Sequence, residues 1–222
     1  MKTRKPQPVR QPVTRERVLR AAIDLADQQG LAALTMRALG AALDVQAMSL
    51  YNHVSDKDDI LDGMVDLVVA EIEVPLATQP WKTAMVGRAV SAHTVLLRHP
   101  WACGLLMSRA NVGPAMLRYV DATIGCLRAA GFPLPLVDHA WNAMDSHIYG
   151  FTLQKLNFPF QPEQYAQIAA AYLPSLSPAQ YPSMHALTVL VATGGHSGLH
   201  DLEFGLGLLL DGLERLLVTH VA

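Results

Sequence analysis

Apolar residues recur at intervals of three and four through most of the chain, and two-residue alternation is nowhere sustained. That spacing gathers apolar positions onto one face of an α-helix. In the segment TRERVLRAAIDLADQQG it sets Val18, Ala22, Leu25 and Ala26 together, with Thr14 as N-cap and Gly30 as the stop. Thr35 caps a second, shorter helix, MRALGAAL; Asp44 and Val45 break it, and QAMSLYNHV follows as a third. Ser55 or Asp56 caps a long fourth helix over KDDILDGMVDLVVAEIE, whose Asp56, Asp58 and Asp59 suit the positive end of its dipole. Pro75 and Pro80 close it. Further helices are predicted over about 81–98, 114–130, 135–156, 162–172 and 199–218, most of them opening near a proline. The Pro- and Gly-rich stretch LPSLSPAQYPSMHALTVLVATGGHSG reads as a long loop.

Charge changes the picture more than composition does. Hydrophobic residues make up 51% of the 222 and charged residues 16%, which is the make-up of a well-packed globular chain. The net charge of −2 conceals a gradient: residues 1–57 hold nine Lys or Arg against five Asp or Glu, +4, so the remainder sums to −6. A basic end on an acidic body suits a polyanion at that end, although a solvated basic tail gives the same count. Cys103 and Cys126 are too few for a disulfide framework and form no ligand-like pair. The basic N-terminus lacks the apolar segment of a secretory signal, and no apolar run is long enough for a membrane span. A cytoplasmic protein with no membrane partner is expected.

Two short helices joined by a tight turn and braced by a preceding helix form a helix-turn-helix, whose second helix fits a DNA major groove. On that helix Leu50 and Val54 turn inward, leaving Gln46, Ala47, Met48, Ser49, Tyr51, Asn52 and His53 to surround the outer surface. Small or unbranched side chains at its start allow close approach to base edges. Tyr, His and Lys near its end have the reach to hold phosphates.

The run TMRALGAALDVQAMSLYNHVSDKDDIL resembles the TetR family of bacterial transcriptional regulators, whose pattern is T-x-R-x-L-x-x-x-L, a turn, L-Y-x-H-V and a Lys shortly after. The resemblance implies that Thr35 and Arg37 touch phosphates, that Gln46, Ala47 and Met48 face bases, and that Ser49, Tyr51, Asn52, His53 and Lys57 bind or flank the backbone. Asp44 stands where the family often has Gly; Asp tolerates left-handed geometry better than most residues.

More weakly, GFPLPLVDHAWNAMDSHIYGFTLQ and DLEFGLGLLLDGLERLL are similar to the penultimate long helix and the last helix of the tetracycline-repressor subgroup. That likeness implies a homodimer joined through both helices, with Phe204, Leu208, Leu209, Leu213 and Leu216 in an apolar stripe on the last one, and a small-molecule effector of unknown identity. Aligning RHPWACGLLMSR with the subgroup puts Leu106 where a histidine holds drug-bound magnesium. Trp141, Asp145 and Tyr149, four residues apart on one helix face, suit a flat and partly polar ligand; core and dimer packing would use the same face.

The resulting expectation is an all-α chain: a basic flexible arm (1–13), a three-helix helix-turn-helix DNA-binding domain (14–57) and a helical effector-binding and dimerisation domain (58–222), acting as a ligand-responsive repressor on a double-stranded, inverted-repeat operator. A non-specific architectural DNA-binding protein is the nearest alternative. An all-helical enzyme is the remotest, since no nucleophile has a plausible activating base and no phosphate or dinucleotide fingerprint is present. No cofactor is expected. His196 and His200 have a metal-like i, i+4 spacing but no evident third ligand.

Overall fold

Thr14 and Thr35 cap the first two helices through their hydroxyl oxygens, which accept from the amides of Arg17 at 3.2 Å and Ala38 at 3.1 Å. From these caps follow α1 (Arg15–Gln29) and α2 (Met36–Leu43), then α3 (Ala47–Leu50) and α4 (Lys57–Val69). The computed structural model describes residues 12–221, so most of the expected basic arm lies outside the described residues. The described residues are all-helical. They divide into two compact units, the first ending at Asp138 and the second beginning at His139.

The first unit continues with α5 (Trp81–Arg98), α6 (Pro100–Ser108) and α7 (Pro114–Ala129). Its apolar faces close on one another: α1 packs on α2, α4 and α6, α4 on α6 and α7, and α5 on α6 and α7. Val18, Leu19, Ala22, Ile23 and Ala26 form the buried side of α1, and each of its larger side chains contributes about 1.5–3 kcal/mol by leaving water.

Polar clasps set the directions of these helices. Asp27, near the end of α1, accepts from Trp101 Nε1 at 2.6 Å and lies 2.9 Å from His99 Nδ1, so the start of α6 is pinned to α1. Arg109, just past the end of α6, donates to Asp62 at 2.8 Å and Asp58 at 3.0 Å, both on α4. Asp66 of α4 reaches the first turn of α7, where its Oδ1 accepts the amides of Ala115 at 2.9 Å and Met116 at 3.0 Å.

The long helix α8 (Leu134–Asn157) carries the chain into the second unit, followed by α9 (Tyr165–Tyr172), α10 (Pro182–Ala192) and α11 (Leu202–Val221). There α9 packs on α10. The His147 ring on α8 lies 3.0 Å from the Leu202 carbonyl through Nε2, at the opening of α11.

Outside the helix-turn-helix, three elements differ from the sequence pattern. The expected loop between Leu173 and Gly198 contains α10: Pro182 occupies its first turn, where a missing N–H costs nothing, and the surrounding prolines and glycines hide an eleven-residue helix. The segment after His99, for which no helix is expected, forms α6 behind Pro100. And α4 ends at Val69, short of Glu73, in a turn that buries Ile72.

Both cysteines are buried and neither forms a disulfide, and burial pushes the Cys103 thiol up to about 11. Among the described residues, no helix is long and apolar enough to cross a membrane, and no three His, Cys, Asp or Glu side chains converge as metal ligands.

Candidate nucleic-acid interface

The turn between α2 and α3 rests on Asp44 and Gly40. Asp44 adopts φ 53 and ψ 46, the left-handed conformation, and is the one non-glycine residue among those described with positive φ. Its short side chain tolerates this geometry better than a branched one. The Val45 amide then donates to the Gly40 carbonyl at 2.9 Å, closing α2. A Cβ on Gly40 would stand 2.9 Å from the Val45 oxygen and 3.0 Å from the Ala47 nitrogen, so α3 approaches α2 closer than any side chain permits. Gly40 is absent from the site expected from the sequence, and its one local signal is a glycine inside an eight-residue helix, where it weakens the helix and so marks a close approach.

Leu50 and Val54 are buried as expected and anchor α3 from below. Outward stand Gln46, which opens the helix, Met48, 74% exposed, and Tyr51 and Asn52, both exposed; Ala47 and His53 are half-buried. Regular helix ends at Leu50 and Tyr51–His53 continue as a turn, so the reading element is shorter than the pattern predicts. The Ser49 hydroxyl donates its one proton to the Gln46 carbonyl at 2.7 Å, which braces the start of α3 and commits the proton a phosphate contact would need. Thr35 differs: as a cap its oxygen accepts, and its proton stays available to a phosphate. Arg37 and Lys57 are exposed, the latter in the first turn of α4.

The basic charge of this end is partly committed. Arg15 forms a two-pronged bond to Asp59, 2.7 Å from Nη1 and 2.6 Å from Nη2, which joins α1 to α4. That guanidinium and the Ser55 amide hold the Asp59 carboxyl down from an ordinary 3.8 to about 2. Arg20 pairs with Glu16 along α1 at 2.8 Å.

Residues 18–64 match the family described as bacterial regulatory proteins, tetR family, and residues 74–217 match the tetracyclin repressor-like C-terminal domain. The chain belongs to the tetR family of bacterial regulators. As a tetR-family protein it is similar to a transcriptional repressor, DrrR1, of Streptomyces coeruleorubidus, 31% identical over 96% of this chain and 81% of the relative. It is also similar to an HTH-type transcriptional regulator of Saccharopolyspora erythraea, 33% identical over 78% of this chain and 73% of the other. Among solved structures, ActR of Streptomyces coelicolor in complex with actinorhodin superposes with a TM-score of 0.76, at 27% identity over 92% of this chain and 98% of that one.

Further along this regulator, α8 brings three of the expected effector residues together. Trp141 Nε1 donates to Asp145 Oδ2 at 2.7 Å and the Tyr149 hydroxyl donates to the same oxygen at 3.5 Å, so one carboxylate is flanked by two aromatic donors. Leu106 is half-buried on α6, in the first unit. On α11 the apolar stripe splits in two. Phe204 (71%), Leu208 (62%) and Leu216 are exposed and Leu209 is half-buried, whereas Leu213, expected among them, is buried on the side shared by Leu206 and Leu210.

Proposed function

We propose that this regulator is a ligand-responsive repressor that binds an inverted-repeat operator as a homodimer and leaves it when a small molecule occupies the body. The observation that carries the reading is the α2–α3 crossing at Gly40 and Asp44, which presents Gln46, Ala47 and Met48 at the leading end of an exposed short helix. Base edges are read from such a helix, and Thr35, Arg37, Tyr51, Asn52, His53 and Lys57 are the groups that would hold the flanking phosphates. Ser49 supports the helix from within.

Homodimerisation is supported by Phe204, Leu208 and Leu216, an exposed apolar stripe on α11 of a kind soluble monomers rarely leave uncovered. An effector with an aromatic body and a polar edge suits Trp141, Asp145 and Tyr149, and the actinorhodin complex of ActR supports ligand binding by this kind of body. Leu106 offers no metal-binding group, so a magnesium-carried drug is not the proposed effector.

Selection of genomic DNA fragments on the purified protein, repeated with aromatic small molecules, tests the reading. An inverted repeat with half-site centres about 34–36 Å apart or somewhat more, released by at least one of the molecules, is the expected result. Retention of all fragments alike would mark a non-specific DNA-binding protein instead.

A further inference from the structure

His99 is the joint between α5 and α6, and it is buried, with 7% of its surface exposed. Carboxylates from two other helices face its two ring nitrogens. Asp27 of α1 lies 2.9 Å from Nδ1, and Glu71, in the turn that ends α4, places Oε2 3.5 Å from Nε2. Arg98, the last residue of α5, holds that same Glu71 oxygen at 2.8 Å, and the Trp101 ring of α6 stands edge-on to the imidazole. All of these residues belong to the first unit. Neither the DNA-reading surface nor the aromatic face of α8 uses them.

The two nitrogens are not alike. Asp27 also accepts from Trp101 Nε1 at 2.6 Å, and an ionised carboxylate only accepts, so the ring proton that faces it lies on Nδ1. A neutral ring then carries its lone pair on Nε2, opposite a second acceptor, the Glu71 carboxylate. Nε2 is shut off from solvent and makes no hydrogen bond among the described residues. A buried acceptor left unmade is costly. One proton on Nε2 turns two facing acceptors into a donor and an acceptor and opens the way to a charge-assisted bond with Glu71. It also balances the cluster: two carboxylates, Asp27 and Glu71, then meet two cations, Arg98 and His99, and a buried charge is tolerated when it is paired.

The geometry points to a proton-operated clasp. With a proton on each nitrogen, His99 ties α1 to the end of α4 through the start of α6; the neutral ring keeps only the tie to α1. Imidazole is the side chain whose charge ordinarily changes between about pH 5 and pH 8. Because α2 packs on α1, the proton decides how firmly the mounting of the DNA-reading helices is bound to the end of α4.

Amide hydrogen exchange of the full-length protein, with every rate divided by its intrinsic rate at the same pH, reads the clasp, and nitrogen NMR of the imidazole reads the proton. The amides of Glu71 and Ile72 donate to Val68 and Val69, so opening of the turn is visible at both. From about pH 8 to about pH 5, His99 Nε2 should gain its proton and both amides should become about tenfold better protected. Glu71→Gln should abolish that gain; its side chain is 36% exposed, so the fold is not at stake. His99→Gln should abolish it as well, whereas Glu73→Gln, which removes the same charge two residues further on, should keep it. An imidazole that stays in one form across this range, equal protection at both ends, a gain that survives Glu71→Gln or a gain lost in Glu73→Gln would each overturn the proposal. DNA takes no part in these readouts, so a failure of operator recognition is seen separately by gel shift.

Discussion

Arg15 grips Asp59 with both arms of its guanidinium, so the first turn of α1 and the first turn of α4 are joined by a fixed fork rather than a loose ion pair. The Asp59 carboxyl is held at about 2, below its ordinary 3.8, chiefly by that fork. A carboxyl depressed in the folded state contributes stability that is complete above its unfolded value and is lost as pH falls through the folded one. Thermal melts should therefore show a loss between about pH 4 and pH 2 that Arg15→Gln flattens. With the Arg15 side chain 46% and Asp59 26% exposed, solvent screening holds the effect near about 1 kcal/mol or less. An unchanged acid limb in Arg15→Gln would show that other carboxylates carry it.

Gly40 gives a sharper test of the turn. Gly40→Val puts a branched side chain where even a bare Cβ would stand 2.9 Å from the Val45 oxygen, a backbone atom that cannot swing aside. Overpacking of this kind costs about 1–3 kcal/mol and should displace α3. Operator binding in a gel shift should fall well beyond what the melting shift explains. Asp44→Gly, by contrast, relieves left-handed strain and should bind as the parent does.

Base and phosphate contacts separate by salt. Lys57→Ala should weaken all duplexes nearly alike and reduce the salt slope by about 1 per subunit. Met48→Ala or Gln46→Ala should instead change which half-site bases are preferred, with a good bidentate contact worth about 1–3 kcal/mol and an apolar one less. Binding to specific and scrambled duplexes at several salt concentrations distinguishes the two patterns. Ser49→Ala should lower affinity modestly for every sequence, because its hydroxyl braces α3.

The two faces of α11 predict opposite outcomes for one kind of substitution. Phe204→Arg or Leu208→Arg should yield a folded monomer in sedimentation velocity, since both side chains are exposed within the chain. Leu213→Arg should unfold the second unit instead, because it buries an unpaired charge beside Leu210. Dimers that survive both of the first two changes would place the subunit contact elsewhere.

Much of the candidate site was legible because its signals are local. Thr14, Gly30 and Thr35 mark helix ends through bonds to residues three or four away, and Trp141, Asp145 and Tyr149 follow from helical repeat alone. The hidden parts depend on what approaches from outside. The wide stripe on α11 could not be divided without knowing that Leu206 and Leu210 are covered. Likewise, Asp27 lies more than seventy residues before His99 and Trp101 in sequence, and only the folded chain brings it to them. In α10 the breakers at both ends outweighed an apolar run that needs just three turns.

A member built in at both ends cannot rock on one support, and α6 is such a member. Its first turn is fastened to α1 through Asp27, and Arg109 at its far end is fastened to α4 through Asp58 and Asp62. Any thrust along or across these nine residues is shared by α4 and by α1, on which α2 packs. The reading element hangs on that frame at one side, through the packing of α2 on α1 and the close crossing of α3 over Gly40.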